Sequence, residues 1–387
     1  MLKNYFLVAI RNLRRNKVVS VINIAGLSIG LACCLLILLY AKDEWSYDRF
    51  QANRDHIYRI TAQWSDDQGK VQFKTGKTGA LHGPSFGQDI PEIRSYTRIA
   101  GGDHIIRQGD RAFSQTVHLA DPNFFTVFSF PLRSGDPKTA LSNLESLVIT
   151  ETTARKYFGT TDVIGYPLEI EFDKKFQPFT ITAVARDCPQ NSTIKFDILL
   201  SFKFYDKFEP DDQWLNFDLS TFIALSPGVL PNIVEKKMMR VYHEKAAEQI
   251  KVAREKYGFS SSVLWGLQPL TAIHLSTDYD AEDELSDASN PMYSYILTGI
   301  AIFILLIACI NFINLTVARS LKRSKEIGIR KVIGGRRNQL IGQFLGESFL
   351  ACGISFALAV ILALVALPVF NELANKQLSL SVTGGMA

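Results

Sequence analysis

The chain has 387 residues, of which 47% are hydrophobic and 21% are charged, and its formal net charge is +4. The charge is unevenly divided: residues 1–17 carry a net +5, residues 42–290 a net −7 and residues 319–346 a net +7. Three windows contain no Asp, Glu, Lys or Arg: residues 18–41, 288–318 and 348–371. Charge-free windows of this length are typical of membrane-spanning helices, so a wholly soluble protein is excluded.

We predict transmembrane helices at residues 18–41, 291–318 and 347–371, because a helix needs ~20 apolar residues to cross the hydrocarbon core. The first could instead be a signal peptide, since a basic segment precedes it. Its apolar run is too long for that, and no small-residue cleavage site follows it. Cys33 and Cys34 would suit a lipoprotein, but the residues after them stay apolar, so both thiols are predicted to lie inside the helix.

Orientation follows from the basic segments, because Lys and Arg beside a span are retained on the cytoplasmic side. We therefore expect residues 1–17 and 319–346 in the cytoplasm, and residues 42–290 and the tail 372–387 outside it. Cys188 is the one cysteine of the large external segment. An intramolecular disulfide is therefore not expected there.

Residues 42–290 are expected to form a mixed α/β domain joined to the membrane by two stalks. Short β-branched and aromatic runs between Gly, Pro, Asp or Asn predict strands at residues 56–61, 96–100, 146–150, 168–172, 179–184 and 222–225. Apolar residues at helical spacing predict helices at 152–158 and 232–257. The predicted fold class is thus a multi-domain membrane protein, with transmembrane α-helices and a mixed α/β extracytoplasmic domain.

Two motifs suggest chemistry but lack its full pattern. Gly76-Lys77-Thr78 resembles the end of a phosphate-binding loop, but Val71 stands where that loop needs a glycine, so we predict an exposed turn between strands. The six histidines include no i, i+4 pair and have no nearby cysteine. No metal site is therefore expected on spacing grounds.

Small and polar residues in the spans indicate helix contacts. The pattern Gly26-x-x-x-Gly30 permits a second helix to approach closely, and Asn311 and Asn314 can hydrogen-bond across helices in lipid. Gly is also common in membrane helices generally, so a pattern without specific contacts is equally compatible. Three helices are too few to enclose a polar pathway, so further helices from a partner are expected.

The cytoplasmic segment 319–346, here called the coupling loop, is the most informative part of the sequence. Its Ile327, Val332 and Ile333 lie among basic residues and form a short amphipathic element. Such an element can lie on anionic lipid or in a groove of another protein, and the residues alone leave both open.

The coupling loop resembles the signature of MacB/FtsX-type ABC transporter permeases in the run Lys325-Glu326-Ile327-Gly328-Ile329-Arg330-Lys331-Val332-Ile333-Gly334-Gly335, followed by Phe344-Leu345-Gly346-Glu347-Ser348. Other segments are similar to the same family: residues 5–16 with 24–27, Ser46-Tyr47-Asp48-Arg49-Phe50, Ile57-Tyr58-Arg59, Asp121-Pro122-Asn123-Phe124-Phe125 and residues 152–159. Together they cover nearly the whole chain to about residue 370.

The resemblance implies a multi-pass permease of the cell inner membrane with a periplasmic core domain. It implies that a separate cytoplasmic ABC-type ATPase, which binds ATP and Mg, grips the coupling loop and moves the periplasmic domain in export or efflux. The contact residues that it implies are Lys325, Glu326, Ile327, Gly328, Ile329, Arg330, Lys331, Val332 and Gly334. This chain is itself expected to have no catalytic residue, cofactor or metal and not to be an enzyme.

The expected partners are the ATPase, a second permease copy or the remaining half of the permease, membrane lipid and, as a further option, a periplasmic adaptor; nucleic acid is not expected. Family members have at least one more membrane helix after the third, so a fragment or a truncated product is expected. The alternative hypothesis is an FtsX-like membrane-anchored sensor or cell-wall-enzyme regulator without transport. No kinase, cyclase or methyl-accepting segment follows any span, which argues against an ordinary receptor.

Overall fold

The structure of the protein is a computed structural model. It describes residues 11, 17–208, 210–257, 262–279, 285, 288–322, 329, 332 and 337–380, except for the side chains of 319–322 and 337–340. The chain divides into two compact units. The helical unit comprises Met1–Trp45 and Pro291–Ala387, and the α/β unit is Ser46–Asn290.

The helices are, in chain order, α1 (Lys17–Trp45), α2 (His82–Asp89), α3 (Phe124–Val127), α4 (Glu151–Phe158), α5 (Phe202–Phe208), α6 (Pro231–Lys245), α7 (Ala247–Tyr257), α8 (Pro291–Lys322) and α9 (Arg337–Ala374). The strands are β1 (Ile57–Ser65), β2 (Val71–Thr75), β3 (Lys77–Thr78), β4 (Ile93–Gln108), β5 (Arg111–Ala120), β6 (Leu132–Ser134), β7 (Ser146–Thr150), β8 (Pro167–Phe172), β9 (Lys175–Ala185), β10 (Ile198–Ser201), β11 (Leu219–Leu225) and β12 (Ser262–Pro269).

The helical unit contains three helices that are long and apolar enough to cross a membrane, as far as the chain is described. Their most apolar windows have mean hydropathies of 2.5 in α1 and 2.8 in both α8 and α9. The helix α1 packs against both of the others. The helix α8 begins at Pro291, where the fixed φ of proline suits a first helical turn. All three helices extend beyond the charge-free windows.

The described part of the α/β unit is built on a 12-stranded mixed sheet. Nine strands run in the order β12-β1-β11-β4-β5-β10-β7-β9-β6, while β2 pairs with β1, β3 with β11, and β8 with both β4 and β9. The pairs β5–β10 and β7–β9 are parallel. The longest pair is the hairpin of β4 and β5, which turns at Gly109 with a φ of +59°, a conformation that glycine adopts without steric cost.

The core of the α/β unit includes a cluster of phenylalanines around β5, β10 and β11. Ring centroids of Phe124, Phe128, Phe130, Phe196 and Phe222 lie 5.1 to 6.2 Å from their neighbours, mostly edge to face or tilted. Such offset arrangements place the positive ring edge against the negative face of the next ring. The short helix α3, which holds the first ring, is thereby fixed to the sheet.

The prediction of a mixed α/β domain is confirmed, but the strand lengths were only partly predicted. The prediction for 146–150 coincides with β7. The prediction for 96–100 was too short, because β4 continues to Gln108 through residues that alternate between exposed and partly buried. Gly101, Asp103 and Ile105 occupy the exposed positions, and Gly101, Gly102 and Asp103 interrupt the β-branched and aromatic composition from which strands are predicted.

The prediction of one helix over 232–257 is wrong, because α6 and α7 are separate helices that meet at Ala246. The helix α6 buries a stripe of four side chains, whereas α7 buries Ala253. Ala246 keeps near-helical dihedral angles, and its N–H donates to the carbonyl of Tyr242. Alanine is the strongest helix former, so neither composition nor periodicity marks this break.

The prediction of an exposed turn at Gly76 is also wrong. Gly76 is buried between β2 and β3, and a Cβ there would collide with the guanidinium group of Arg59. Arg59 is itself fully buried and donates to Oε1 of Gln268 from Nε at 3.1 Å and from Nη2 at 2.7 Å. The glycine therefore gives a buried cation room inside the unit.

A second buried cation, Arg98 on β4, connects distant parts of the α/β unit. Asp121 accepts hydrogen bonds from the Arg98 backbone N–H at 2.7 Å, from Nε at 3.0 Å and from Nη2 at 2.8 Å. Asp206 accepts from both terminal nitrogens at 3.0 Å, and the carbonyl of Ala80 accepts from Nη1 at 3.1 Å. The guanidinium also stacks 3.9 Å from the ring centroid of Phe202. These contacts join β4, the end of β5 and α5.

The two carboxylates of this cluster should differ in their contribution to stability, because Asp121 is 8% exposed and Asp206 is 48% exposed. Removing the partner of a buried charge costs about 3–5 kcal/mol, whereas an exposed pair contributes about 0–1 kcal/mol. We therefore expect Asp121→Ala to lower the free energy of unfolding much more than Asp206→Ala does. Denaturant titration followed by tryptophan fluorescence would measure both, and equal losses would contradict this assignment.

Candidate functional site: the coupling loop and the anchor segment

The coupling loop comprises the end of α8, the start of α9 and the residues between them. Most of its implied contact residues lie outside the described residues: Lys325, Glu326, Ile327, Gly328, Arg330, Lys331 and Gly334. The other two, Ile329 and Val332, are helical and have 60% and 88% of their surface exposed. Residues at i and i+3 lie on the same face of a helix. They therefore offer a small apolar surface to a partner.

The predicted small-residue contact lies between α1 and α8. A Cβ added at Gly30 would lie 2.7 Å from Cβ of Ala308, which is closer than real Cβ contacts allow. A Cβ added at Gly26 would lie 3.4 Å from Nδ2 of Asn311, an ordinary contact. Gly30 is therefore the position that requires glycine. Asn314 is exposed on α8, and no hydrogen bond joins its side chain to another described residue.

The six residues after α1, residues 46–51, are here called the anchor segment. They follow Trp45 without an intervening glycine or proline and belong to the α/β unit. The Asn191 amide donates to the carbonyl and hydroxyl of Ser46 at 3.1 and 2.8 Å, and the Asn191 carbonyl accepts from the N–H of Asp48 at 2.9 Å. The Asn191-Ser192-Thr193 run thus holds the start of the anchor segment.

Asp48 is the central residue of the anchor segment, with 1% of its surface exposed and a φ of +56°. Its carboxylate accepts hydrogen bonds from the N–H of Thr193 at 3.0 Å, from the Thr193 hydroxyl and from the Ser192 hydroxyl at 3.4 Å. Burial raises the pKa of Asp48 to about 6, although these bonds and the nearby His274 act in the opposite direction. Asp tolerates a left-handed backbone better than most residues, so this turn can be made here.

The remaining anchor residues also contact the α/β unit. The Tyr47 ring stacks on His274 with centroids 3.3 Å apart and an interplanar angle of 3°. The Phe50 ring lies 5.7 Å from that of Phe130, in the phenylalanine cluster. The Gln51 carbonyl oxygen Oε1 accepts from the N–H of Ser129 at 2.6 Å. Five of the six anchor residues are therefore held by side-chain contacts: Ser46, Tyr47, Asp48, Phe50 and Gln51.

Neither element has the composition of a catalytic or metal centre. Among the residues that the structure describes, no group of three or more His, Cys, Asp and Glu side chains could hold a metal ion. His82 is fully buried among the rings of Trp214, Phe217 and Trp265, and burial lowers its pKa to about 4, so it is neutral.

Two protein-family profiles match this chain. The profile of the MacB-like periplasmic core domain matches residues 20–241, and that of the FtsX-like permease C-terminal domain matches residues 298–385. A solved domain of a putative permease protein from Porphyromonas gingivalis has the same fold, with a TM-score of 0.50 and 22% identity. The match covers 64% of this chain and 98% of that domain.

Two proteins named macrolide export ATP-binding/permease protein MacB are also similar. The one from Shewanella sp. (strain W3-18-1) is 22% identical over 73% of this chain and 40% of its own length. The one from Neisseria gonorrhoeae (strain ATCC 700825 / FA 1090) is 22% identical over 95% of this chain and 53% of its own length. The chain thus spans about half the length of these curated relatives.

The two profile matches define the class of protein: a permease component of the ABC transporter type. More particularly, the chain belongs to the family of MacB/FtsX-type permeases, because the periplasmic core profile alone matches more than half of its residues. The family resemblance of the coupling loop and of the Ser46 to Phe50 run is therefore confirmed at the level of the family.

The raised pKa of Asp48 predicts a pH dependence that Asp48→Asn removes. The folded chain binds the Asp48 proton more tightly than the unfolded chain, whose Asp48 pKa is the ordinary 3.8. Stability therefore falls as pH rises from about 4 to about 6, by about 3 kcal/mol in total from this group. Asn can keep the left-handed turn and the Thr193 contacts without a buried charge.

Unfolding of the wild type and of Asp48→Asn should be compared at several pH values in this window. The difference between their free energies of unfolding removes the contribution of every group that titrates in both proteins. We expect this difference to shift in favour of Asp48→Asn as pH rises. The exposed Asp110→Asn serves as the matched control. A constant difference between wild type and Asp48→Asn across the window would show that Asp48 titrates with an ordinary pKa.

Proposed function

We propose that this chain is the permease part of an ABC transporter of the inner membrane. An ABC-type ATPase outside these 387 residues hydrolyses ATP in the cytoplasm. The permease uses the free energy of this hydrolysis to move a periplasmic domain during export or efflux. The observation that supports this best is the presence of both permease profiles in one chain. The direct passage of α1 into the anchor segment supports it further, because a flexible linker there would absorb movement.

The proposed topology places the coupling loop in the cytoplasm and the α/β unit in the periplasm. The net charges of residues 1–17 and 319–346 support this orientation. Trp45 at the end of α1 and Tyr295 near the start of α8 have ring centroids 6.4 Å apart. Aromatic residues of this kind are enriched where helices leave the membrane. Large apolar side chains of α8 and α9, such as Phe303 and Val365, are exposed as lipid contact requires.

Cysteine accessibility tests this topology in a variant without native cysteines. The reagent is a membrane-impermeant maleimide, added from outside to cells whose inner membrane is intact. We expect it to modify Asp110→Cys, at the exposed tip of the β4–β5 hairpin. It should modify Val332→Cys only after the membrane is permeabilised, although that side chain is 88% exposed. Labelling of Val332→Cys in intact cells would reverse the topology and remove the basis of the proposed function.

The ATPase contact is proposed to lie on the coupling loop. Ile329 and Val332 would enter a groove of the ATPase, and the charges of Glu326, Arg330 and Lys331 would form charge-assisted bonds around them. Burial of one aliphatic side chain contributes about 1.5–3 kcal/mol. Placing a charge in such a contact should therefore weaken binding about tenfold or more.

Co-purification with candidate ABC-type ATPases from the same organism tests this contact. We expect Ile329→Asp and Val332→Asp to reduce the recovered ATPase and its permease-dependent hydrolysis. Leu230→Asp is the matched control, because Leu230 is 60% exposed, as Ile329 is, but lies in the α/β unit. Undiminished recovery and hydrolysis with both loop variants would refute the assignment.

An FtsX-like regulator without transport is the second candidate, and the match of residues 298–385 to the FtsX-like permease profile favours it. Both candidates require ATP-dependent movement of the α/β unit, but they differ in substrate flux. Relatives of this chain are named for macrolide export, so macrolides are the first compounds for a transport assay. ATP-dependent movement without flux of any tested compound would favour the regulator.

A further inference from the structure

A buried charge cluster lies at the end of the helical unit where α1 and α9 finish. Nζ of Lys376 is 2.9 Å from Oδ2 of Asp43 and 2.8 Å from Oε1 of Glu44. The side chains are 11%, 16% and 1% exposed, respectively. Nζ of Lys376 also lies 5.9 Å from the ring centroid of Tyr40. This set of three charged residues is here called the Lys376 cluster.

The segment that carries Lys376 has its own defined structure. Asn375 ends α9 in a left-handed conformation with a φ of +50°. The side chain of Asn371 then donates to the carbonyl of Leu378 and accepts from its N–H, both at 3.0 Å. Leu378 is buried in a cluster with Leu36 of α1 and Leu367 of α9. Residues 375–380 therefore form a clasp that folds back onto α1 and α9.

The clasp joins the two helices by charge as well as by apolar contact. Both carboxylates belong to the last turn of α1, and the cation belongs to the chain directly after α9. Breaking a largely buried ion pair is unfavourable, because charges away from water depend on their partners. The cluster therefore opposes separation of the last turn of α1 from the end of α9.

The position of the cluster along the chain suggests its role. The helix α9 begins within the coupling loop, and the last turn of α1 is followed directly by the anchor segment in the chain. We propose that the Lys376 cluster is a joint through which displacement of α9 reaches α1 and, through the peptide chain, the α/β unit. This inference rests on the proposed function and makes Lys376 a positioning residue of the coupling step.

Charge variants can separate this role from a general effect on folding. Lys376→Glu breaks the joint by placing three carboxylates together. The double variant Lys376→Glu with Asp43→Lys restores one cation between two carboxylates. The matched control is Lys42→Glu, which makes the same change in net charge at an exposed residue next to Asp43.

The first measurement needs no ATPase. Spin labels at Leu38→Cys on α1 and Val369→Cys on α9, both exposed positions, report the distance between the helix ends by pulsed electron paramagnetic resonance in nanodiscs. We expect a narrow distance distribution in the labelled chain without charge substitutions and in Lys42→Glu. The distribution should be broad in Lys376→Glu and narrow again in the double variant. An unchanged distribution in Lys376→Glu would overturn the joint.

The second measurement uses the complex with its ATPase and MgATP, and follows maleimide labelling rates at exposed positions of the α/β unit. We expect Lys376→Glu to lose the ATP-dependent change in rate while it retains ATPase binding, and the double variant to regain it. An equal response in wild type and Lys376→Glu would overturn the joint alone. A wild-type complex that hydrolyses ATP without any change would overturn the proposed function and the joint with it.

Discussion

The burial of Asp48 is the constraint on which the course of the anchor segment depends. A carboxylate with 1% exposure must keep its hydrogen bonds, because an uncompensated buried charge is far more costly than a lost surface contact. Those bonds come from Ser192 and Thr193, which are far from Asp48 in sequence. The three residues between Trp45 and Arg49 therefore have a defined course within the α/β unit.

The helical unit obeys a complementary constraint around α1. At Gly30 the helix approaches α8 so closely that a methyl group would collide with Ala308. At its last turn it is tied to the chain after α9 by Lys376. In lipid, apolar contact between helices gains little, so close packing and buried polar contacts must hold the bundle together. The helix α1 therefore combines both kinds of contact and also carries the anchor segment.

The features that the sequence predicted well are those that depend on local composition. A membrane span must be apolar along its whole length, so three charge-free windows were sufficient to predict α1, α8 and α9. A central strand such as β7 is likewise a short, wholly buried run. By contrast, the break at Ala246 lies at a residue that itself favours helix, and nothing in the local sequence could reveal it.

The polar contacts were not predictable from the sequence, because each joins residues that are far apart along the chain. Asp121 lies 23 residues from Arg98, and Asp206 lies 108 residues from it. The burial of Gly76 depends on Arg59 in a neighbouring strand of the sheet. The family resemblance drew attention to the Ser46 to Phe50 and Asp121 to Phe125 runs but not to their partners. Only the fold brings those partners together.

These buried polar groups also hold separate segments of the α/β unit together. Arg59, Arg98 and Asp48 each hydrogen-bond to residues that lie far away along the chain. Polar contacts in a medium of low dielectric constant are strong when satisfied and costly when broken, so the unit resists internal deformation.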